Sequence, residues 1–202
     1  MAARAPRGEA RRAHILEATL RVIAATGPEA LTHRRVAQEA GLPLAATTYW
    51  FASKEELVAE AYRLAADRDV ERAERLAEAL GGGTEPLGAE VLAARLAALT
   101  AGELDGDRAS LVAGYALCLE AARRPELREI AVGWTDAYRR LAARLLELAG
   151  STRPVADAEL LVAVLDGLLL EQLARGAADF GPAVLQPALE RLVAALLAPA
   201  AS

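Results

Sequence analysis

Glycine and proline recur along this chain at helix-length intervals, and that spacing limits its fold more than any other feature. Gly27-Pro28, Gly41, Gly81–Gly83, Gly102–Gly106, Pro125, Gly150–Pro154 and Gly181-Pro182 cut it into helix-sized pieces. Within the pieces apolar residues return every three or four positions, as Ile15, Leu16, Leu20 and Ile23 do in the first. No alternating strand pattern and no internal repeat is present. Aromatics are only 4% of the residues, and alanine and leucine dominate, which favours helices over sheets. The expectation is an all-α protein. With 202 residues, 54% of them hydrophobic, it has one domain or a small pair around a proper core.

Composition removes several function classes. Cys118 is the single cysteine, so there is no intramolecular disulfide and no multi-cysteine zinc site, and the chain reads as cytoplasmic. The two histidines, His14 and His33, both lie near the start, so residues 55–202 have no histidine for a metal or catalytic site. There is no phosphate loop, nucleophile elbow or dinucleotide fingerprint. No enzyme activity, cofactor or metal is expected. Met1 to Ala13 is arginine-rich without the apolar stretch of a signal peptide, and no apolar run is long enough to span a membrane.

The pieces can be placed in order. Glu9–Thr26 is a helix stopped by Gly27. A short second helix has Thr32 as its N-cap, Val36, Ala37 and Ala40 as its inner face, and Gly41 as its stop. Leu44–Trp50 is the third. Ser53-Lys54-Glu55-Glu56 is a capping box opening a fourth that runs to about Leu80, its charged far half, Asp67–Glu78, solvated on most faces. Five more helices are expected at about 87–101, 108–123, 126–149, 157–175 and 183–198.

The sharpest constellation is Leu31–Leu57, where two short helices meet at Ala40-Gly41-Leu42. Gly41 takes the left-handed turn, and Ala37 and Leu42 pack where the helices cross. This is a helix-turn-helix, which lays its second helix in the DNA major groove. Charge agrees. The net charge of −5 divides into +4 over residues 1–54 and −9 over residues 55–202. A basic end suits an anionic partner.

These residues resemble the tetracycline-repressor (TetR) family of one-component bacterial transcriptional regulators. The resemblance is carried by Ile15-Leu16-Glu17-Ala18, Gly27, Leu31-Thr32, Val36-Ala37, Ala40-Gly41-Leu42, Tyr49, Phe51 and Ser53-Lys54-Glu55-Glu56-Leu57. It is strong over residues 9–65. Beyond them it rests on the helical layout and on Leu165-Asp166-Gly167-Leu168. Members commonly carry a tyrosine where Thr48 stands and small or polar residues at the positions of Pro43 and Leu44.

The resemblance implies an N-terminal three-helix DNA-binding domain, residues 1–53, and a C-terminal helical ligand-binding and dimerisation domain, residues 54–202. On that reading Thr32, His33, Arg34, Arg35, Thr48, Tyr49, Trp50 and Lys54 contact the DNA backbone. Leu44, Ala45, Ala46 and Thr47 face the bases. The rival reading is a solvated face for the arginines and core packing for Tyr49 and Trp50. Arg4, Arg7, Arg11 and Arg12 form either an arm near DNA or a solvated tail.

The resemblance also implies a homodimer built by the last two helices through Leu161, Leu165, Leu168, Leu169, Leu185, Leu189, Leu192, Val193 and Leu196, reading a near-palindromic operator. It implies a pocket for a small, mostly apolar effector, with Tyr115, Cys118, Trp134, Tyr138 and Gln172 as candidates against plain core roles. The function expected is a ligand-responsive regulator, a repressor released from DNA by the effector. The alternative is a dimeric helical ligand-binding or interaction protein that does not bind DNA.

Overall fold

The computed structural model describes residues 5–81, 88–106 and 108–198. Among them nine α-helices follow one another: α1 (Ala5–Thr26), α2 (His33–Glu39), α3 (Leu44–Trp50), α4 (Lys54–Gly81), α5 (Ala89–Gly106), α6 (Arg108–Arg123), α7 (Arg128–Leu148), α8 (Pro154–Arg175) and α9 (Gln186–Leu196). No strand occurs among the described residues. Arg4, the Arg7 side chain, Gly82 and Gly83 lie outside them.

Two compact units result. The first takes the described parts of Met1–Arg68 together with Arg108–Gly133. Its core joins Ile15, Leu16, Leu20 and Ile23 of α1 to Val36, Phe51, Leu57, Val58 and Tyr62, and to Ala113 and Leu117 of α6. Burying side chains of this size is the main favourable term in forming the unit. Helix α1 starts at Ala5, four residues before the expected Glu9, because Pro6 is well tolerated in a first turn. Arg11 and Arg12 are therefore helical and belong to no arm. Arg12 pairs with Glu60 and lies over the Phe51 ring, 5.5 Å from its centre.

Helix α4 begins as its capping box predicts. Glu56 N–H donates to Ser53 Oγ at 3.1 Å, and Glu56 Oε2 accepts from Ala52 N–H at 2.7 Å, one residue before the cap. The far half of α4 is solvated on most faces, with Asp67, Arg68, Glu71, Glu74, Arg75 and Glu78 exposed, while Asp69 is buried.

The second unit takes Asp69–Asp107 and Trp134–Ser202, within the described residues. Leu92, Ala93 and Leu96 of α5 are buried where α5 packs on α9, which buries Leu189 and Val193. Helix α5 runs through Gly102, expected as a break, to Gly106. A helical glycine costs only about 1 kcal/mol, which packing overrides. Before α9 the chain makes a π-helical turn, Gly181–Leu185. Pro187 lacks the N–H that an α-helix would aim at the Ala183 carbonyl, and the wider turn absorbs the mismatch.

The apolar stripes of α8 and α9 are divided in a way the sequence does not reveal. Leu161, Leu169, Leu185, Leu189 and Val193, expected at the dimer interface, are buried within the chain's own core. A stripe wider than one contact seam gives its inner edge to the fold. Leu165, Leu168, Leu192 and Leu196 are half-buried, while Leu160, Leu170 and Val184 are exposed beside them.

Candidate functional site

The turn between α2 and α3 is a Schellman motif. Gly41 N–H donates to Gln38 O at 3.1 Å and Leu42 N–H to Ala37 O at 2.9 Å, with Gly41 at φ +63°. Pro43 follows in extended backbone and leads into α3. This fixes which side of α3 faces outward. Leu44, Ala45, Thr48 and Tyr49 are exposed, Tyr49 by 79%, and Ala46 is half-buried.

Thr47 is on the other side. It is fully buried and its hydroxyl donates to Leu44 O at 2.9 Å, so it packs α3 onto the unit and does not face bases. Trp50 is half-buried, set edge-on to Tyr49 with ring centres 5.3 Å apart. A Cβ at Gly8 would meet its indole at 3.5 Å, so Trp50 serves as a wedge between α3 and α1.

The cationic residues surround the same helices. Thr32 caps α2, its Oγ1 accepting from Arg35 N–H at 3.2 Å. The Arg35 guanidinium donates to Ala30 O at 3.0 Å and Arg34 is exposed. His33 is half-buried, and its Nδ1 has no partner among the described residues. The Lys54 amine donates to the Glu29 carbonyl at 2.7 Å, tying the start of α4 to the α1–α2 loop. The Glu29 carboxylate meets Arg124, the residue after α6, at 3.4 Å. Behind α3, His14 Nε2–H donates to Ala40 O at 2.9 Å and holds the end of α2 on α1.

The expected effector residues divide between the units. Tyr115, half-buried, and Cys118, exposed, sit on α6 in the first. In the second, Gln172 spends both ends of its amide on backbone. It donates to Ala177 O at 2.8 Å and accepts from Ala177 N–H at 3.2 Å, so it clips the end of α8 and does not present to a ligand. Trp134 is buried, its indole N–H donating to Asp69 Oδ2 at 2.7 Å, with Tyr138 edge-on at 5.8 Å.

Asp69 was missed by sequence reasoning, although Val58, Tyr62, Ala65 and Asp69 follow one another at helical spacing on the inner face of α4. A second buried polar cluster joins Glu120 to Arg123 and Arg124 at 3.3 and 3.2 Å. Burial pushes the nearby Tyr62 phenol well above its ordinary value. The Glu120 charge adds to the shift and Arg124 opposes it. Among the described residues no group of three or more His, Cys, Asp or Glu could hold a metal ion, and no helix is long and apolar enough to cross a membrane.

Comparison with known proteins bears on both units. Residues 15–61 match a model described as bacterial regulatory proteins, tetR family, and residues 87–199 match one described as tetracyclin repressor-like, C-terminal domain. The HTH-type transcriptional regulator PksA of Bacillus subtilis (strain 168) is 41% identical over 69 residues. The chain spans about a third of the length of that curated relative. A solved TetR-family member, SCO1917 of Streptomyces coelicolor A3, is 32% identical with a TM-score of 0.71, over 94% of this chain and 99% of the other. The multidrug binding protein EbrR complexed with ethidium is 31% identical with a TM-score of 0.65, over 94% of this chain and 99% of the other. Further EbrR structures hold proflavin and malachite green.

Proposed function

Because this chain belongs to the tetracycline-repressor family of bacterial regulators, we propose that it represses transcription from a near-palindromic operator as a homodimer and lets go when it binds a small, mostly apolar molecule. It is a ligand-responsive DNA-binding regulator. The observation that carries the finer reading is the outward face of α3, which stands exposed beside a turn locked by two backbone hydrogen bonds. Leu44, Ala45 and Ala46 meet the base edges, where their apolar surfaces suit thymine methyls. Thr32, His33, Arg34, Arg35, Thr48, Tyr49 and Lys54 flank the backbone, and the positive ones displace counterions.

Residues 1–53 form the DNA-binding domain and residues 54–202 the domain that dimerises and takes the effector. The outer edges of α8 and α9, from Leu160 to Leu196, join the two copies. Support comes from their exposure, since a surface that apolar is stable only when covered. Apolar residues with few polar groups, such as Trp134 and Tyr138, suit an aromatic effector. EbrR is a multidrug binding protein complexed with planar dyes, and by likeness we extend that ligand class to this chain. The domain has no catalytic role in this reading, and a partner that is chromosomal DNA places the protein in the cytoplasm.

A gel shift with the DNA flanking its own gene tests the reading. The wild type retards that DNA with an affinity that falls steeply with salt. Arg34→Ala lowers the slope of log affinity against log salt by about 0.9 if it meets one phosphate. An unchanged slope removes Arg34 from the interface, and no shift at all removes the operator assignment.

A further inference from the structure

We propose that α3 recognises the 5-methyl groups of pyrimidines, so that the chain accepts 5-methylcytosine where it accepts thymine and its DNA binding responds to cytosine methylation. The proposal rests on the reading that α3 enters the major groove, and it names the chemistry recognised there.

In that groove each base pair shows its own donors and acceptors, and side chains read them by type. Arginine and lysine pair with guanine, asparagine and glutamine with adenine, and carboxylates with the cytosine amine. Helix α3 is Leu44-Ala45-Ala46-Thr47-Thr48-Tyr49-Trp50 and holds none of these types. Thr47 is buried. The Thr48 hydroxyl turns back on its own helix, 3.4 Å from both the Leu44 and the Ala45 carbonyls, so its one donor is engaged. Toward a base edge the start of α3 therefore offers hydrocarbon, from Leu44, Ala45 and Ala46. Leu44 is 49% exposed, which leaves about half of its surface for a partner to cover.

Charge around this strip says what the partner is. Arg34 is exposed, and Arg35 and Lys54 are held to the backbone carbonyls of Ala30 and Glu29. Residues 1–54 carry a net +4. An apolar strip among cations complements a groove with phosphate walls, where the hydrocarbon group on the floor is the thymine methyl. 5-Methylcytosine carries the same methyl at the same ring position. It differs from thymine in its amine and in the guanine opposite, and α3 has no side chain of the type that reads either one. The two pyrimidines are therefore close to equivalent for this helix, whereas unmethylated cytosine is not.

The test starts from the full chain selecting its preferred site from a pool of random duplexes. The selected duplex is then remade with uracil, cytosine or 5-methylcytosine at each thymine in turn, in both half-sites together. Uracil removes the methyl and keeps the base pair, and 5-methylcytosine keeps the methyl and changes the pair. Covering one methyl contributes about fourfold in affinity, so uracil or cytosine at the recognised thymines weakens binding about fifteenfold across two half-sites. 5-Methylcytosine there restores binding to within about threefold of thymine. Leu44→Ala and Ala45→Gly each trim the hydrocarbon, and at least one of them brings the thymine-to-uracil ratio toward one. Uracil that binds as well as thymine at every position, or 5-methylcytosine no better than cytosine, overturns methyl recognition while the DNA-binding reading stands. A ratio that both variants leave unchanged assigns the methyl effect to DNA shape and overturns it equally. A pool that yields no preferred duplex overturns the operator reading and this proposal with it.

Discussion

The Leu42 amide donates to the Ala37 carbonyl at 2.9 Å, the longer-range of the two backbone bonds that close the turn between α2 and α3. It forms only because Gly41, the residue before Leu42, adopts φ +63°. An added Cβ at Gly41 has nothing within 4 Å to strike, so a side chain there is resisted by backbone conformation alone. Gly41→Ala therefore lowers stability by about 1–2 kcal/mol in urea unfolding. Gly102, which lies inside α5 and is equally uncrowded, gives the opposite sign. Gly102→Ala raises stability by about 0.5–1 kcal/mol. Equal effects at the two sites would show that the turn is not held by its glycine.

Adjacent leucines on α8 separate fold from assembly. Leu161 is 0% exposed and Leu160 is 50% exposed. Leu161→Ala opens a cavity and costs about 2–5 kcal/mol of stability. Leu160→Glu together with Leu170→Glu leaves the helix content of the chain intact and converts the proposed dimer to a monomer in light scattering. A double variant that still sediments as a dimer moves the interface away from this face.

Tyr62 makes stability depend on alkaline pH. Its hydroxyl is buried without a partner among the described residues, and the fold holds its proton well above the ordinary value of 10.0. The unfolded chain releases that proton near pH 10, while the folded one keeps it. The contribution is therefore fully present below pH 10 and is lost progressively as pH rises beyond it. Tyr62→Phe removes both the orphaned hydroxyl and the titration. It raises stability by about 1 kcal/mol at pH 8 and widens its advantage over the wild type at pH 11, read by urea unfolding. A constant difference between the two pH values would mean that Tyr62 ionises as freely folded as unfolded.

What was legible in the sequence is what is decided locally. Thr32, Gly41 and the Ser53–Glu56 box act on groups two to four residues away, and α2, α3 and the start of α4 lie where those signals put them. What was not legible depends on distant partners. Asp69 finds Trp134 sixty-five residues later in the chain. Thr47 and Thr48 are adjacent and chemically identical, yet one is buried and the other exposed, which the placement of α3 against α2 and the rest of its unit decides. The stripes of α8 and α9 show in sequence that they must be covered. They do not show which edge the chain covers itself, because a helical period carries phase relative to the helix and not relative to its neighbours.

Lys54 has a further consequence. It is the one lysine in the 202-residue sequence, where every other basic side chain apart from the two histidines is an arginine. Its amine rests on the Glu29 carbonyl beside the short helices. An amine-selective acylating reagent therefore addresses one side chain, apart from the α-amino group, and that side chain stands at the margin of the proposed DNA face. Protection of a single mass adduct by operator DNA thus becomes a direct chemical readout of occupancy, with no background from other lysines.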